Sequence, residues 1–98
     1  MARTKVLNTF TSNVFRLLEQ KAGVSNIIIS NVTNVNVKAS VRVSLPAPEG
    51  NAYLVRNAVI PVGTSLVALN NQLLQAPTSK IGVSTDTAGG IEVVYTSL

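Results

Sequence analysis

The chain has 98 residues, of which 46% are hydrophobic and 12% charged, and it carries a formal net charge of +4 without any Cys or His. This length fits one small domain that can bury a core. The lack of Cys and His excludes disulfides, the common zinc sites and the commonest general base. Val, Ser, Thr and Asn are abundant, which favours strands over helices. We therefore expect a single all-β domain over residues 1–98, with no metal or cofactor.

The first part of the chain has the weakest pattern. Residues 1–12 begin with a short, polar and basic stretch and are a candidate for an extended N-terminal arm. Phe10, Val14 and Leu17 have helical spacing, whereas residues 13–19 also alternate as a strand does. We favour the strand because the sequence downstream is rich in strand patterns, but residues 10–20 leave helix and strand both open.

Two strong strands follow. Residues 25–32, SNIIISNV, have apolar side chains on both faces, so we expect a strand that is internal to a sheet or covered by a neighbour. Residues 35–45 alternate with period two, which is typical of a half-buried antiparallel strand. Lys38 and Arg42 make its polar face cationic. Its apolar face is predicted to consist of Val35, Val37, Ala39, Val41, Val43 and Leu45.

The middle of the chain is predicted to be a loop followed by two strands. Residues 46–51 contain Pro, Gly and Asn and form the clearest loop. Residues 52–60 and 64–69 are apolar and β-rich, and Pro61-Val62-Gly63 joins them. Pro lacks a backbone N–H and Gly tolerates turn conformations, so a bend is expected there.

The last third is predicted to contain further short strands. We expect a turn at Asn70-Asn71, a strand fragment at residues 72–75 and a break at 76–79. Residues 80–85 form a strand, residues 86–90 a hairpin loop, and residues 91–97 a closing strand with one apolar face. Inward positions of these two strands are Ile81, Val83, Ile91, Val93 and Tyr95. Seven to eight short strands predict an antiparallel β-sandwich or a small barrel.

No residue pattern indicates a reaction centre. The four carboxylates, Glu19, Glu49, Asp86 and Glu92, show no spacing typical of a catalytic pair. Ser79 and Lys80 are neighbours and would point to opposite faces of a strand. We therefore predict no catalytic residue and no enzyme. Residues 31–33 match a glycosylation acceptor pattern, but without a secretion-signal pattern at the N-terminus we expect a chance match.

Low charge combined with high apolarity predicts association. A small all-β domain leaves sheet edges and apolar surface to be covered, and oligomerisation covers both. We expect a homo-oligomer. The candidate inter-subunit contacts come from the N-terminal segment, the Ile run, the cationic strand face and the strand at 52–60: Arg3, Lys5, Phe10, Ile27, Ile29, Lys38, Arg42 and Arg56.

Three segments resemble small virion structural proteins of tailed bacteriophages, including those of cyanophages and other marine phages. The segments are IPVGTSLVAL (residues 60–69), IEVV (residues 91–94) and AGVSNIII (residues 22–29). The resemblance spans residues 22–98. It implies a β-sandwich or jelly-roll-like subunit of the virion without enzymatic activity, present in multiple copies. Such a subunit would bind the major capsid protein as a decoration or cement protein, or neck or tail proteins at the head–tail junction.

Two alternatives belong to other functional classes. A carbohydrate- or receptor-binding module of a tail or fibre would need a polar and aromatic pocket, and the loops at 46–51 and 86–90 contain no aromatic residue. A nucleic-acid binder of the OB type would need clustered Lys and Arg residues with aromatic residues for stacking, whereas the Lys and Arg residues are scattered along this sequence. A nucleic-acid partner is therefore disfavoured. No apolar run is long enough to span a membrane.

Overall fold

A computed structural model describes residues 3–8, 10–18, 23–44, 50–74 and 80–97. The predictions for the loop at 46–49 and the break at 76–79 lie outside these residues. Within them the chain is all-β, with no helix long and apolar enough to cross a membrane. The strands are β1 (Arg3–Leu7), β2 (Arg16–Leu17), β3 (Val24–Asn31), β4 (Val37–Ser44), β5 (Asn51–Ile60), β6 (Ser65–Leu74), β7 (Lys80–Thr85) and β8 (Ile91–Ser97).

The strands form two four-stranded antiparallel sheets. The first sheet has the order β1-β8-β3-β6 and the second has the order β2-β7-β4-β5. The pairs β1·β8, β2·β7, β3·β6 and β4·β5 are nested around the loop between β4 and β5. A long hairpin of this kind becomes a two-layered sandwich when it rolls up so that β8 meets β3 and β7 meets β4. This is the strand order of a jelly roll, and the predicted fold class is confirmed.

One hydrophobic core joins the two sheets. Alternate residues of β3 and β8 face alternate residues of β4 and β7, as period two requires. The predicted inward positions of β7 and β8 are confirmed, since Ile81, Val83, Ile91, Val93 and Tyr95 are all buried. The other core residues are Phe10, Leu18, Val24, Ile27, Ile29, Val37, Ala39, Val41, Val43, Ile60 and Leu69. The prediction that the Ile strand is internal is also confirmed, because β3 pairs with both β6 and β8.

The predicted strand at residues 13–19 is wrong in extent. Among the described residues 13–18, only Arg16–Leu17 is strand, pairing with Val83 and Gly82 of β7. Asn13 has a φ of 60°, and Val14 donates a backbone hydrogen bond to the carbonyl of Thr11, so the chain turns before the strand begins. Upstream, Arg3–Leu7, part of the segment for which an arm was expected, pairs with β8.

The predicted position of Val35 in the apolar face of β4 is wrong. Its side chain is 54% exposed, and β4 begins two residues later. The hydroxyl of Thr33 donates to the Val35 carbonyl and accepts from the Val35 N–H, so a loop satisfies the backbone groups that a ladder would have used.

Two predicted turns are also corrected. Asn70-Asn71 is not a turn, because β6 continues to Leu74 and Asn70 pairs with Asn26 of β3. The loop at 86–90 is not a hairpin loop, because it leads from β7 in the second sheet to β8 in the first. The predicted bend at residues 61–63 likewise carries the chain from β5 to the other sheet. Thr64 closes this turn by donating its backbone N–H to the Pro61 carbonyl, and Gly63 has a φ of 74°.

Candidate binding surface on the second sheet

The outer face of the second sheet carries four basic residues. Because Val37, Val41, Ile81 and Val83 point into the core, the residues between them point outward. Lys38 and Arg42 of β4 and Lys80 of β7 lie on this outer side. Arg56 of β5 joins them through its contact with Tyr53, described below. The four strands of this sheet contain no Asp or Glu. We call this surface the cationic face.

A glycine in the middle of β7 creates a recess in the cationic face. Gly82 lies between the inward-facing Ile81 and Val83, and its own outer side is covered by Phe15 and Leu17. A Cβ atom added at Gly82 would lie 3.2 Å from Cδ1 and 3.3 Å from Cβ of Phe15. The absence of a side chain therefore lets Phe15 lie directly against the sheet.

Phe15 positions an arginine. Arg42 is the register partner of Gly82 on the neighbouring strand, and its guanidinium carbon lies 4.0 Å from the centroid of the Phe15 ring. A guanidinium stacked at this distance gains cation–π attraction and loses rotamer freedom. The stacked Arg42 therefore presents its N–H groups from a fixed place on the face.

Two further residues extend the stack across the sheet. Tyr53 of β5 is the register partner of Arg42, and its ring centroid lies 6.4 Å from that of Phe15 at an interplanar angle of 57°. Arg56 lies over the Tyr53 ring, with its guanidinium carbon 5.2 Å from the ring centroid. The row thus runs Arg42, Phe15, Tyr53, Arg56, with the two rings side by side and a guanidinium at each end.

Irregularities in β5 make this row possible. Tyr53 and Arg56 are three residues apart, which in a regular strand would place them on opposite faces. The register shifts by one residue twice in this strand, first between the partners of Arg42 and Val41, then between those of Val41 and Ala39. Asn57, in the second shift, has a φ of 52° and donates its backbone N–H to the hydroxyl of Ser40. These bulges turn both side chains to the same side of the sheet. They also make the backbone of an exposed edge strand irregular, which hinders pairing with other chains.

The chemistry of this surface suits anionic groups. A planar guanidinium binds a carboxylate or phosphate with two parallel hydrogen bonds, and Arg42 and Arg56 are both oriented by rings. Lys38 and Arg42 are four residues apart on one strand, so their backbone positions are separated by about 13 Å. In the part of the chain that the structure describes, no side chain of Lys38, Arg42, Arg56 or Lys80 pairs with a carboxylate, and Asp86 meets Lys38 at its backbone N–H. The face therefore offers several separated cationic groups.

Three of the sequence-predicted contact residues are not on the surface. Phe10, Ile27 and Ile29 are 4%, 0% and 0% exposed and belong to the core, so their side chains cannot contact another subunit. That part of the prediction is wrong because Ile27 and Ile29 occupy alternate, inward positions of β3. Ile28, between them, is the exposed one.

Arg3 and Lys5 lie on the edge strand of the first sheet, away from the cationic face. Their register partners Ser97 and Tyr95 are buried, so both bases belong to the interior side of an open edge, where Arg3 is exposed and Lys5 half-buried. Lys5 also lines a cleft of about 400 Å³ between β1 and β2, together with Arg16 and Tyr95. The structure thus brings Lys38, Arg42 and Arg56 together and places Arg3 and Lys5 elsewhere.

Asp86 and the asparagine of the glycosylation pattern have structural roles. Asp86 accepts hydrogen bonds at Oδ1 from the Lys38 N–H and from the hydroxyl of Thr87. Asn31 is 7% exposed, and its Nδ2 donates to the carbonyls of Val35 and Ile60. Such a side chain is not available to a glycosyltransferase. Within the described residues no three metal-ligating side chains lie together.

Neither Phe15 nor Tyr53 is among the contact residues predicted from the sequence. Two signals pointed to them. An isolated Gly inside a strand pattern, as at Gly82, indicates close approach of another group. A hairpin centred on the loop at 46–50 pairs Arg42 with Tyr53 once its register is fixed at the loop, and the structure has this pairing.

Comparison of the chain with protein-family models, curated proteins and solved structures finds no match. The fold and the cationic face are therefore the observations from which a function must be argued.

Proposed function

We propose that this chain is a non-enzymatic structural subunit of a phage virion that binds, as an oligomer, to an acidic protein surface of the capsid or of the head–tail neck. The cationic face is the observation that carries the proposal. It gathers four bases on strands that contain no acid, and two of those bases are held in place by aromatic rings.

The partner is expected to present carboxylates. Stacked guanidinium groups lose less freedom on binding than solvated lysines do, so a rigid acidic surface gains more from Arg42 and Arg56 than from scattered charges. Charge complementarity of this kind also accelerates encounter and selects the correct orientation. The resemblance of residues 22–98 to phage virion proteins supports a capsid or neck protein as that surface.

The fold is compatible with this role without selecting it. Jelly rolls occur in viral capsid proteins, and also in lectins and cupins. A fold shared by such different proteins does not imply one activity, so the surface residues must carry the argument.

Binding of the chain to particles tests the proposal. Particles of the virus that encodes the chain should contain it after density-gradient purification, and particles depleted of it should rebind the purified chain. Arg42→Glu should weaken rebinding by roughly tenfold or more, because it places an acid against an acidic surface. Absence of the chain from purified particles would refute the virion role.

The same charge reversal at Arg3 is the matched control. Arg3 is exposed and lies on the edge of the other sheet. Arg3→Glu should therefore change rebinding little, while thermal unfolding shows that both variants fold. Equal losses for the two variants would indicate a dependence on net charge alone and would contradict the role of the cationic face.

A second candidate is binding of single-stranded nucleic acid, since exposed aromatics beside arginines are also the platform on which bases stack. Tyr53, 43% exposed, is open to a base, whereas Phe15 is half-buried and already stacked with Arg42. One open ring makes this the weaker candidate. Salt-dependent binding of a labelled oligothymidine that Tyr53→Ala removes would favour it over the acidic protein surface.

A further inference from the structure

The outer face of the first sheet carries an unbroken apolar row. Val6 pairs with Val94, Val94 with Ile28, and Ile28 with Val67, so one apolar residue from each strand lies in register across the whole sheet. Val6, Ile28 and Val67 are 59%, 38% and 54% exposed. With strands about 4.8 Å apart, the row is roughly 14 Å long. We call it the valine row.

Polar residues flank the valine row on both sides, and all but one of them are neutral. One neighbouring row consists of Thr4, Thr96, Asn26 and Asn70, and the other of Glu92, Ser30 and Ser65. The hydroxyls of Ser30 and Ser65 lie 2.8 Å apart and bond to each other. Glu92 is the one charged side chain that the described strands place on this face. The first sheet thus presents a nearly uncharged surface, in contrast to the cationic face on the opposite side of the sandwich.

We infer that the outer face of the first sheet binds the same face of a second copy of this chain, with the two-fold axis along the valine row. This inference rests on the oligomeric part of the proposed function and specifies the surface that makes the contact. The two valine rows would cover each other and remove their exposed apolar side chains from water.

The polar flanks are complementary under this symmetry. Rotation about the valine row exchanges its two sides, so the Glu92 row of one copy meets the Thr96 row of the other. The carboxylate of Glu92 then faces hydroxyl and amide donors, and the two Glu92 side chains stay on opposite sides of the axis. Charged groups at an interface are tolerated when they find such partners.

The size of the face agrees with a stable pair. The domain measures 36 × 30 × 19 Å, and the sheets provide its broad faces. Covering most of one broad face would bury the roughly 800 Å² per partner of a standard interface. A strongly charged partner would gain little from this face, whereas a second copy matches it row by row. The pair would leave both cationic faces outward, available to an acidic surface.

Sedimentation velocity over a concentration series tests the inference. The wild-type chain should form dimers at concentrations up to about 100 μM, well above the Kd of a typical standard-sized interface. Val67→Glu should weaken the dimer by roughly tenfold or more, because the symmetry buries the new charge twice. Val59→Glu is the matched control, since Val59 is also 54% exposed but lies on the second sheet. A wild-type monomer throughout, or a dimer that only Val59→Glu disrupts, would overturn the inference.

An introduced cysteine tests the symmetry without relying on a destabilising charge. The chain has no Cys, so Ile28→Cys provides a single thiol at the centre of the valine row. In a two-fold pair each thiol faces its counterpart, and mild oxidation should yield a covalent dimer, whereas Val59→Cys should not. Disulfide formation at Val59 but not at Ile28 would overturn the proposed face.

A chain that dimerises in this way but is absent from particles would refute only the virion role, and one that rebinds particles as a monomer would refute only the dimer.

Discussion

At the scale of single residues, Asn31 is a buried polar side chain held by several hydrogen bonds. Its Nδ2 donates to the carbonyls of Val35 and Ile60 at 2.7 and 2.9 Å, and its Oδ1 accepts from the N–H of Thr33 at 2.8 Å. Asn31→Asp keeps the acceptor but replaces both donors with an oxygen that faces two carbonyl oxygens. We expect it to lower the free energy of unfolding by about 2–4 kcal/mol in urea denaturation.

Asn34→Asp is the control for this substitution. Asn34 lies in the same loop, is exposed, and undergoes the same chemical change, so its effect should stay within about 0.5 kcal/mol. Equal midpoints for the two variants would show that the hydrogen bonds of Asn31 contribute nothing to stability.

The role of Asn31 illustrates what a residue pattern cannot reveal. The sequence identifies Asn31 only as part of a glycosylation pattern. The carbonyl of Ile60, to which it donates, is 29 positions away and comes close to it only at the end of β5. The same contacts explain the error at Val35. Period-two alternation predicts where Ile81, Val83 and Tyr95 point, because that property is local, whereas the beginning of β4 depends on side chains of the preceding loop.

At the scale of elements, β7 is coupled to the segment that leads into β2 by the contact between Gly82 and Phe15. Gly82→Val would drive side-chain atoms into the Phe15 ring and displace it from the sheet. We expect a loss of about 1–3 kcal/mol, as for other overpacking substitutions. In a Phe15→Ala background the recess is empty, so the same substitution should cost much less. Denaturation of the four proteins in this double-mutant cycle measures the difference.

An additive cycle would contradict the close packing of Phe15 on Gly82. The direction of the expected coupling is distinctive, because a glycine that is needed only for backbone freedom would be as costly to replace with or without Phe15. The φ of Gly82 is not positive, so backbone freedom does not explain the glycine at this position. Steric exclusion of a side chain is the remaining reason.

The boundaries of β7 and β8 match the sequence prediction, and those of β3 and β5 differ from it by about one residue at either end. The connections were harder to predict. A Gly-containing turn between two apolar runs has similar chemistry whether the runs pair in one sheet or lie in two, so residues 61–63 and 86–90 could not be assigned from sequence. The continuation of β6 through Asn70-Asn71 depends on pairing with β3, which supplies hydrogen-bond partners that local propensity does not anticipate.

At the scale of the molecule, the nested pairing brings the two ends of the described chain together. Arg3 is the register partner of Ser97, and β1 and β8 are the most distant strands in sequence, whereas β4 and β5 are adjacent. The sequence predicts the number and character of the strands but not this nesting, because each apolar face is equally satisfied by several partners. Closure of β1 onto β8 must bring together almost the whole chain, which is the slowest kind of contact to form.

A circular permutant tests whether that closure limits folding. The permutant begins at Gly89, continues through β8, joins Leu98 to Met1 by two added glycines, and ends at Ala88. Leu98, the two glycines, Met1 and Ala2 make a connection similar to ordinary hairpin loops of roughly 2–5 residues. β8 and β1 then form a local hairpin, so refolding should accelerate by roughly tenfold in stopped-flow measurements.

A linear chain with the same two glycines at its C-terminus is the control. The permutant gives up the hydrogen bond from the Gly90 N–H to the Thr87 carbonyl, so its equilibrium stability should fall by about 1 kcal/mol at most. An unchanged refolding rate at that stability would mean that the rate-limiting step is the rolling of the hairpin, in which β8 meets β3 and β7 meets β4, rather than the joining of its ends.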